Sequence, residues 1–415
     1  MSNRVTYNVQ DVLIGPESSV PLGSIDTGDC YILKRLDGVQ SFNYSFSQNA
    51  EDISILGRSD NVDKNLSSPI DVNLDFEYYI NNVNNEHRLG FYTQNQKQST
   101  RSNFISNFID QTKDYRNFYL VSNYSGEDIK KPVDTHPDFD DNYITNITDP
   151  NSSDYTLLSF LRCYTSSYSS SISVGAIPTA SISLVGDGSI FYITGNNNQA
   201  PFLDPKTLNI NTSGKELVIP KKIKSTSSEY ENSYYDFFKQ GDIGLTITRT
   251  PEEVNLLKFE TNEVQSVDVS ISLDRENISY LGYKANANRD LALPAKAEIS
   301  VNFLDNKSLS GSFQDLKTGN YDYNFSVDFT KSNNLQMNYL ASGAKLESIN
   351  YSNSIGSNRT VSLDFSVDLD LDDNNKGFYV SGLLTSITGV LIDDNGDTLV
   401  DDAGNTLIGS MYPQY

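Results

Sequence analysis

The chain has 415 residues, enough for two ordinary hydrophobic cores, and carries 54 acidic against 31 basic side chains for a formal net charge of −23. That balance excludes an electrostatic grip on nucleic acid or an anionic membrane, and no run is apolar enough to span a bilayer. Two histidines (His87, His136) and two cysteines (Cys30, Cys163) leave almost nothing from which to build a catalytic triad, a histidine metal cluster or a disulfide framework.

Residues 1–38 are punctuated by Gly15-Pro16 and Pro21-Leu22-Gly23 and read as a loosely structured N-terminal arm, with Val12-Leu13-Ile14 able to add a short strand. Met1–Asn8 has no apolar h-region, so no signal peptide is expected. Phe42, Tyr44 and Phe46 then alternate with Asn43, Ser45 and Ser47, the period of a strand with one buried and one wet face. Glu51–Gly57 breaks the alternation and predicts a turn or short helix. Pro69 opens a second alternating run, with Val72, Leu74, Phe76 and Tyr78 inward and Asp71, Asn73, Asp75 and Glu77 outward.

A long insert follows at about 79–160. Within it Phe104, Ile105, Phe108 and Ile109 recur at helical spacing and predict a helix over Asn103–Thr112, with Ser102 or Asn103 as cap. Tyr115–Tyr124 reads as a strand, and Asp134–Asp154 as an exposed acidic loop. Residues 216–262 form a junction, which opens within a basic island (Lys215–Lys224) and contains an alternating strand (Ile243–Thr248). At the C-terminus, Leu391–Thr398, Leu399–Thr406 and Leu407-Ile408 form a period-eight repeat that reads as a small meander over 391–415.

The dominant feature is a repeat. Val39–Tyr78 returns without a gap as Val264–Phe303, at a constant spacing of 225 residues. Val39, Gln40, Ser41, Leu56, Gly57 and Pro69 reappear as Val264, Gln265, Ser266, Leu281, Gly282 and Pro294. Tyr168–Leu184 is answered more faintly by Ile349–Phe365, and Phe191–Gly195 by Phe378–Gly382. The chain therefore reads as a duplicated domain: 39–215 with its insert, then 263–390. A counterpart helix is expected at Leu309–Leu316.

Chemistry finds little to hold. The cysteines read as unpaired core thiols. Asp368–Gly377 begins like a calcium loop but lacks glycine at the sixth position and has Tyr379 at the twelfth. A strand explains it better, with Val361, Leu363, Phe365, Val367 and Leu369 in and Ser362, Asp364, Ser366, Asp368 and Asp370 out. No catalytic residue, cofactor or metal is assigned, and the chain is not expected to be an enzyme.

The VQS-x-x-x-S-x-S motif at Val39 and Val264, the Glu-x-Ile-x-x-Leu-Gly segments ending at Gly57 and Gly282, the Pro-led alternating strands and the Tyr168–Ser181 segment together resemble the tail tube proteins of long-tailed bacteriophages. The resemblance implies an all-β fold with minor α: two tandem tail-tube-like β-sandwich or β-barrel domains, each with a long hairpin and a short helix. It implies a virion tail protein, assembled in the host cytoplasm, that partners itself and neighbouring tail proteins and touches no membrane. Trimeric, pseudo-hexameric rings would stack around a lumen through which DNA passes without specific binding. A distal-tail, baseplate or terminator ring of the same fold, and a capsid-decoration or adhesin protein, stay open as alternatives. Two acidic strand faces, Asp71/Asp75/Glu77 and Asp364/Asp368/Asp370, are the candidates for the lumen wall.

Overall fold

The structure, a computed structural model, describes residues 10–15, 30–48, 50–66, 70–94, 102–110, 114–123, 155–187, 190–194, 199–218, 237–250, 264–304, 321–331, 334–353, 358–369, 376–382, 388–390 and 408–410. Among them the chain is all-β with two short α-helices. It enters with β1 (Gln10–Gly15), β2 (Cys30–Ile32) and β3 (Lys34–Arg35), then runs through β4 (Val39–Ser47), the hairpin of β5 (Ala50–Ile53) and β6 (Asp63–Leu66), and β7 (Asp71–Tyr79). Helix α1 (Asn84–Arg88), β8 (Thr93–Gln94), α2 (Ser106–Asp110) and β9 (Arg116–Asn123) precede the 19-residue β10 (Tyr155–Ser173). Next come β11 (Thr179–Asp187), β12 (Ile190–Thr194), β13 (Gln199–Leu203), β14 (Ile210–Val218) and β15 (Ile243–Thr250). A like succession follows: β16 (Val264–Ser272), the hairpin of β17 (Arg275–Ile278) and β18 (Asn288–Leu291), β19 (Lys296–Leu304), β20 (Asp322–Lys331), the 19-residue β21 (Asn334–Ser352), β22 (Thr360–Asp368) and β23 (Gly377–Gly382). The pair β24 (Thr388–Val390) and β25 (Ile408–Ser410) ends the described chain.

The main sheet runs β15-β20-β21-β22-β19-β16-β10-β11-β7-β4. Each long strand serves two sets of neighbours. The N-terminal part of β10 lies between β9 and β12, and its C-terminal part between β11 and β16. The N-terminal part of β21 lies between β20 and β23, and its C-terminal part runs beside β22. Both strands change course at a left-handed residue, Arg162 (φ 54) in β10 and Gly343 (φ 77) in β21. The ladders shift register beside each, as expected where a bulge re-aims a strand.

The alternation read from the sequence decides what is inside. Val72, Leu74, Phe76 and Tyr78 of β7, Ala297, Ile299, Val301 and Phe303 of β19, and Val361, Leu363, Phe365 and Val367 of β22 are all buried. They join one apolar cluster that also takes in Phe160 and Ile271. Registers recur as well. Val39 faces Tyr78 with a slip before Ser41, and Val264 faces Phe303 with a slip before Ser266. Ala50 faces Leu66, and Arg275 faces Leu291. Each second pair is the first displaced by 225 residues. The β10–β11 and β21–β22 ladders correspond at a displacement of 181, down to their slips at Thr165/Ser167 and Leu346/Ser348.

Several expectations change. Residues 10–15 and 33–37 are not a loose arm: Leu13, Leu33 and Leu36 are buried, and β1 pairs along its whole length with β9. The Val12-Leu13-Ile14 triplet supplies the apolar surface that draws it in. Of the two readings of Glu51–Gly57 the turn holds, at Leu56-Gly57, and the helix does not, because Ala50–Ile53 has a strand partner in β6. Helix α2 begins at Ser106 and not at Asn103, whose side chain accepts from Phe378 N–H (3.0 Å) and whose carbonyl accepts from Ser106 Oγ (2.7 Å); Gln111 and Thr112 lie outside the described residues. Helix α1 was not expected; at five residues it is too short to show a period. The expected loop at Asp134–Asp154, the helix at Leu309–Leu316 and the repeat over 391–407 lie outside the described residues.

Candidate functional site

Asp71, Asp75 and Glu77 point away from the core along β7, and Asp364 and Asp368 do so along β22; Asp370 lies outside the described residues. The ladder rows put both sets on one face of one sheet. One row reads Glu77, Ser181, Ser169, Ser270, Glu298, Ser366, and the next Tyr79, Thr179, Ser171, Asp268, Ser300, Asp364. Asp268 and Glu298 thus carry the acidic character across the middle. Sequence reading missed them because each is a lone acid on its strand, although both sit at outward positions of the alternation.

This face is hollowed into a shallow trough lined by serines, Thr179 and the acids Asp268, Glu298, Glu347 and Asp364, with Val269, Ile299 and Phe365 at its floor. Hydroxyl groups hold its acids: Ser171 Oγ donates to Asp268 (2.6 Å) and Ser300 Oγ to Asp364 (2.7 Å). Cations stand toward one end, Lys296 paired with Asp368 (3.6 Å) and Lys345 with Asp322 (2.6 Å). Asp71 differs from its strand mates, being ion-paired to Arg289 at 2.6 Å. A surface that carries carboxylates and small hydroxyls repels anions.

The repeated motif divides into turn residues and edge residues. Gly57 and Gly282 have φ of +95° and +86°, left-handed values that favour glycine, at the tips of the β5–β6 and β17–β18 hairpins. Leu56 and Leu281, just before them, are fully exposed. Pro294 sits just ahead of β19 as expected; Pro69 is outside the described residues. Val39, Gln40 and Ser41 open β4, where Gln40 Nε2 donates to the Gly38 carbonyl (3.1 Å). Val264, Gln265 and Ser266 open β16, where the Gln265 carbonyl accepts from Val174 N–H (2.9 Å) and Ser266 Oγ from Asn302 (2.8 Å).

The two strands nevertheless live differently. β16 is flanked by β19 and β10, whereas β4, among the described residues, has β7 on one side and no strand on the other. Tyr44 and Phe46 are 43% and 44% exposed, while their counterparts Val269 and Ile271 are 2% and 1% exposed. At the far end of the sheet, Ser348–Ser352 of β21 pairs with β22 alone among the described strands.

The hairpins diverge in the same way. In β17–β18, Arg275 pairs with Asp114, and Arg289 bridges Asp187 (2.9 Å) and Asp71 (2.6 Å). Arg162 meets Asp187 (3.1 Å) and donates to the carbonyls of Asn286 (3.0 Å) and Ala287 (2.7 Å). Burial pushes the Asp114 carboxyl above its ordinary range, against the pull of Arg275. In β5–β6, every residue from Glu51 to Lys64 is exposed.

Other titratable groups lie in the core. Glu86 is fully buried and accepts from Tyr78 Oη (2.8 Å), while Tyr168 and Tyr339 join hydroxyls at 2.7 Å beside it. Burial raises its carboxyl to about 7. Burial lowers neighbouring His87 to about 4, and raises the Cys163 thiol. Among the described residues no group of three or more His, Cys, Asp or Glu is placed to hold a metal, and no helix is long and apolar enough to cross a membrane.

No family model and no curated protein matches the chain. Among solved structures it is similar to a chain of the anti-feeding prophage (AFP) baseplate, with 10% identity and a TM-score of 0.25, covering 34% of this chain and 92% of that one. It is also similar to a chain from the tail of an empty GTA particle with C6 symmetry (14% identity, TM-score 0.24, 35% of this chain and 98% of that one). A chain of the native gene transfer agent (GTA) virion gives 15% identity and a TM-score of 0.23, over 35% of this chain and 98% of that one.

Proposed function

We propose that the chain is a structural subunit of a phage-type tail: a tube protein built from two tandem copies of a tail-tube-like domain, 39–215 and 263–390. Three copies form a pseudo-hexameric ring, and rings stack around a lumen that DNA crosses without being bound. The observation that carries this reading is that each repeat's edge strand has a counterpart already used inside the chain. β16 pairs with β10 internally, while among the described residues their counterparts, β4 and the C-terminal stretch Ser348–Ser352 of β21, each have a strand on one side only.

Unpaired edges invite further pairing, and a head-to-tail contact between two different surfaces generates a ring when the rotation closes. The acidic, hydroxyl-rich face is the proposed lumen wall, where its charge keeps phosphates from sticking. The exposed Leu56 and Leu281 tips are the proposed stacking contacts, since contiguous exposed apolar groups mark interaction sites.

Negative-stain imaging of the purified protein tests the reading. Long tubes are expected. Isolated rings would favour a baseplate, distal-tail or terminator component, and persistent monomers a decoration or adhesin protein.

A further inference from the structure

We infer that β4 of one copy pairs antiparallel with Ser348–Ser352 of β21 in a second copy, in the register the chain already uses between β16 and β10. The β5–β6 hairpin then docks on β22 of that copy with Lys64 against Asp368. This rests on the ring-forming reading and supplies it with residue pairs.

The chain contains its own template. Within it Ser167 faces Ser272, Ser169 faces Ser270 and Ser171 faces Asp268. Moving the first member of each pair by 181 residues and the second back by 225 puts Ser348 opposite Ser47, Asn350 opposite Ser45 and Ser352 opposite Asn43. All six are small or polar, as the trough face requires. On the other face the same displacement sets Ile349 against Phe46 and Tyr351 against Tyr44. These apolar side chains are only partly covered in the single chain. A second copy would cover Tyr44 and Phe46 as β10 covers Val269 and Ile271.

The hairpin follows the strand. Lys64 is the counterpart of Arg289, and Asp368 of Asp187. Asp187 is fully buried beneath the β17–β18 hairpin, whereas Asp368 is 73% exposed in the side chain, beside Lys296. Opposite charge is retained at the new seam, but the rest of the lock is absent: Arg162 is answered by Gly343, Arg275 by Ala50 and Asp71 by Lys296. The seam between copies is therefore made of backbone ladder and apolar side chains, with one exposed ion pair. The seam within the chain is riveted by buried arginines. Such an interface forms from folded subunits and can be undone without unfolding them.

The test is cysteine cross-linking of the full chain carrying Ser45→Cys and Asn350→Cys in a Cys30→Ser background. Directly opposite Cβ atoms lie at about 5 Å and diagonal ones at about 7–8 Å, so the in-register pair should oxidise at least about tenfold faster than the slipped pair Ser45→Cys with Ser352→Cys. The product should be a reducible ladder of covalent multimers, absent from either single variant. Equal yield from the slipped pair, or tubes in which neither pair cross-links, overturns the register while leaving the tube reading in place. In-register cross-links in protein that makes rings but no tubes support the seam and overturn the tube. A chain that stays monomeric at every concentration overturns both.

Discussion

In the β17–β18 hairpin, Arg275 and Arg289 are almost fully buried against the first half of the chain, and Asp187, the partner of Arg289, has no solvent exposure. In the β5–β6 hairpin, Ala50 and Lys64 occupy the corresponding places, and the residues between them are open to water from Glu51 onward. Pairing and turn glycine are the same in both. What differs is the neighbour: one hairpin has β10–β11 beside it in the same chain, and the other has none among the described residues. Local sequence thus builds the hairpin, and context decides whether it is a rivet or a free arm.

The largest effect should come from the rivet. Asp187→Asn removes the carboxylate between Arg162 and Arg289, and stranding buried charge costs about 3–5 kcal/mol. Its counterpart Asp368→Asn should stay within about 0.5 kcal/mol, as an exposed substitution. Urea denaturation of the dissociated protein measures both, and equal losses would erase the distinction between the hairpins.

The strands repeat the contrast on a smaller scale. Ile271→Ala should cost about 3 kcal/mol, within the range for buried aliphatic truncation, whereas Phe46→Ala should cost under about 1 kcal/mol in the single chain. Phe46→Ala should instead weaken assembly, as read from sedimentation against concentration.

A pH series separates seam from core. The Glu86 carboxyl sits at about 7 in the folded chain against an ordinary 4.5. The folded state therefore holds the proton more tightly, and stability falls as pH rises from 4.5 through 7. The total is on the order of 3 kcal/mol by linkage. His87, lowered to about 4 from 6.5, works the other way and loses stability as pH falls from 6.5 to 4. The two nearly cancel between pH 4.5 and 6.5. Glu86→Gln keeps the acceptor for Tyr78 and removes one limb. The variant should melt higher than wild type at pH 8, and should lose stability steadily below pH 6.5. Identical pH profiles for the two proteins would show that Glu86 does not titrate in the core.

The smallest effect is at the free arm. Lys64→Ala should leave the stability of the single chain unchanged and weaken association by about 0.2–1 kcal/mol, the ordinary worth of an exposed ion pair, and less at high salt. A change in chain stability equal to that of Asp187→Asn would mean that the hairpin is already docked within its own chain.

Much of this was legible beforehand. The alternation in Val72–Tyr78 and Val361–Leu369 named the buried side chains correctly, because the pleat sends successive residues to opposite faces whatever lies beyond. The 225-residue spacing put the two hairpins and their registers in correspondence, because turn glycines and strand lengths are local properties. The same alternation put Asp71, Asp75, Glu77, Asp364 and Asp368 at outward positions, as the strands have them, but did not bring Asp268 and Glu298 to the same face.

Tertiary structure alone decided the rest. That Val12–Ile14 belongs to the core depends on β9, more than 100 residues away. That Asp71 is held by Arg289 depends on a contact across 218 residues, invisible to any local pattern. Arg162 takes a left-handed backbone because two ladders meet at that residue, and nothing in its neighbours announces it. The sequence by itself determined, for the alternating runs, that they are strands and which face each side chain takes, since both follow from the backbone's period. Which edges are sealed and which stay open required the ladder between strands far apart in the chain, since burial belongs to pairs of elements and not to either alone.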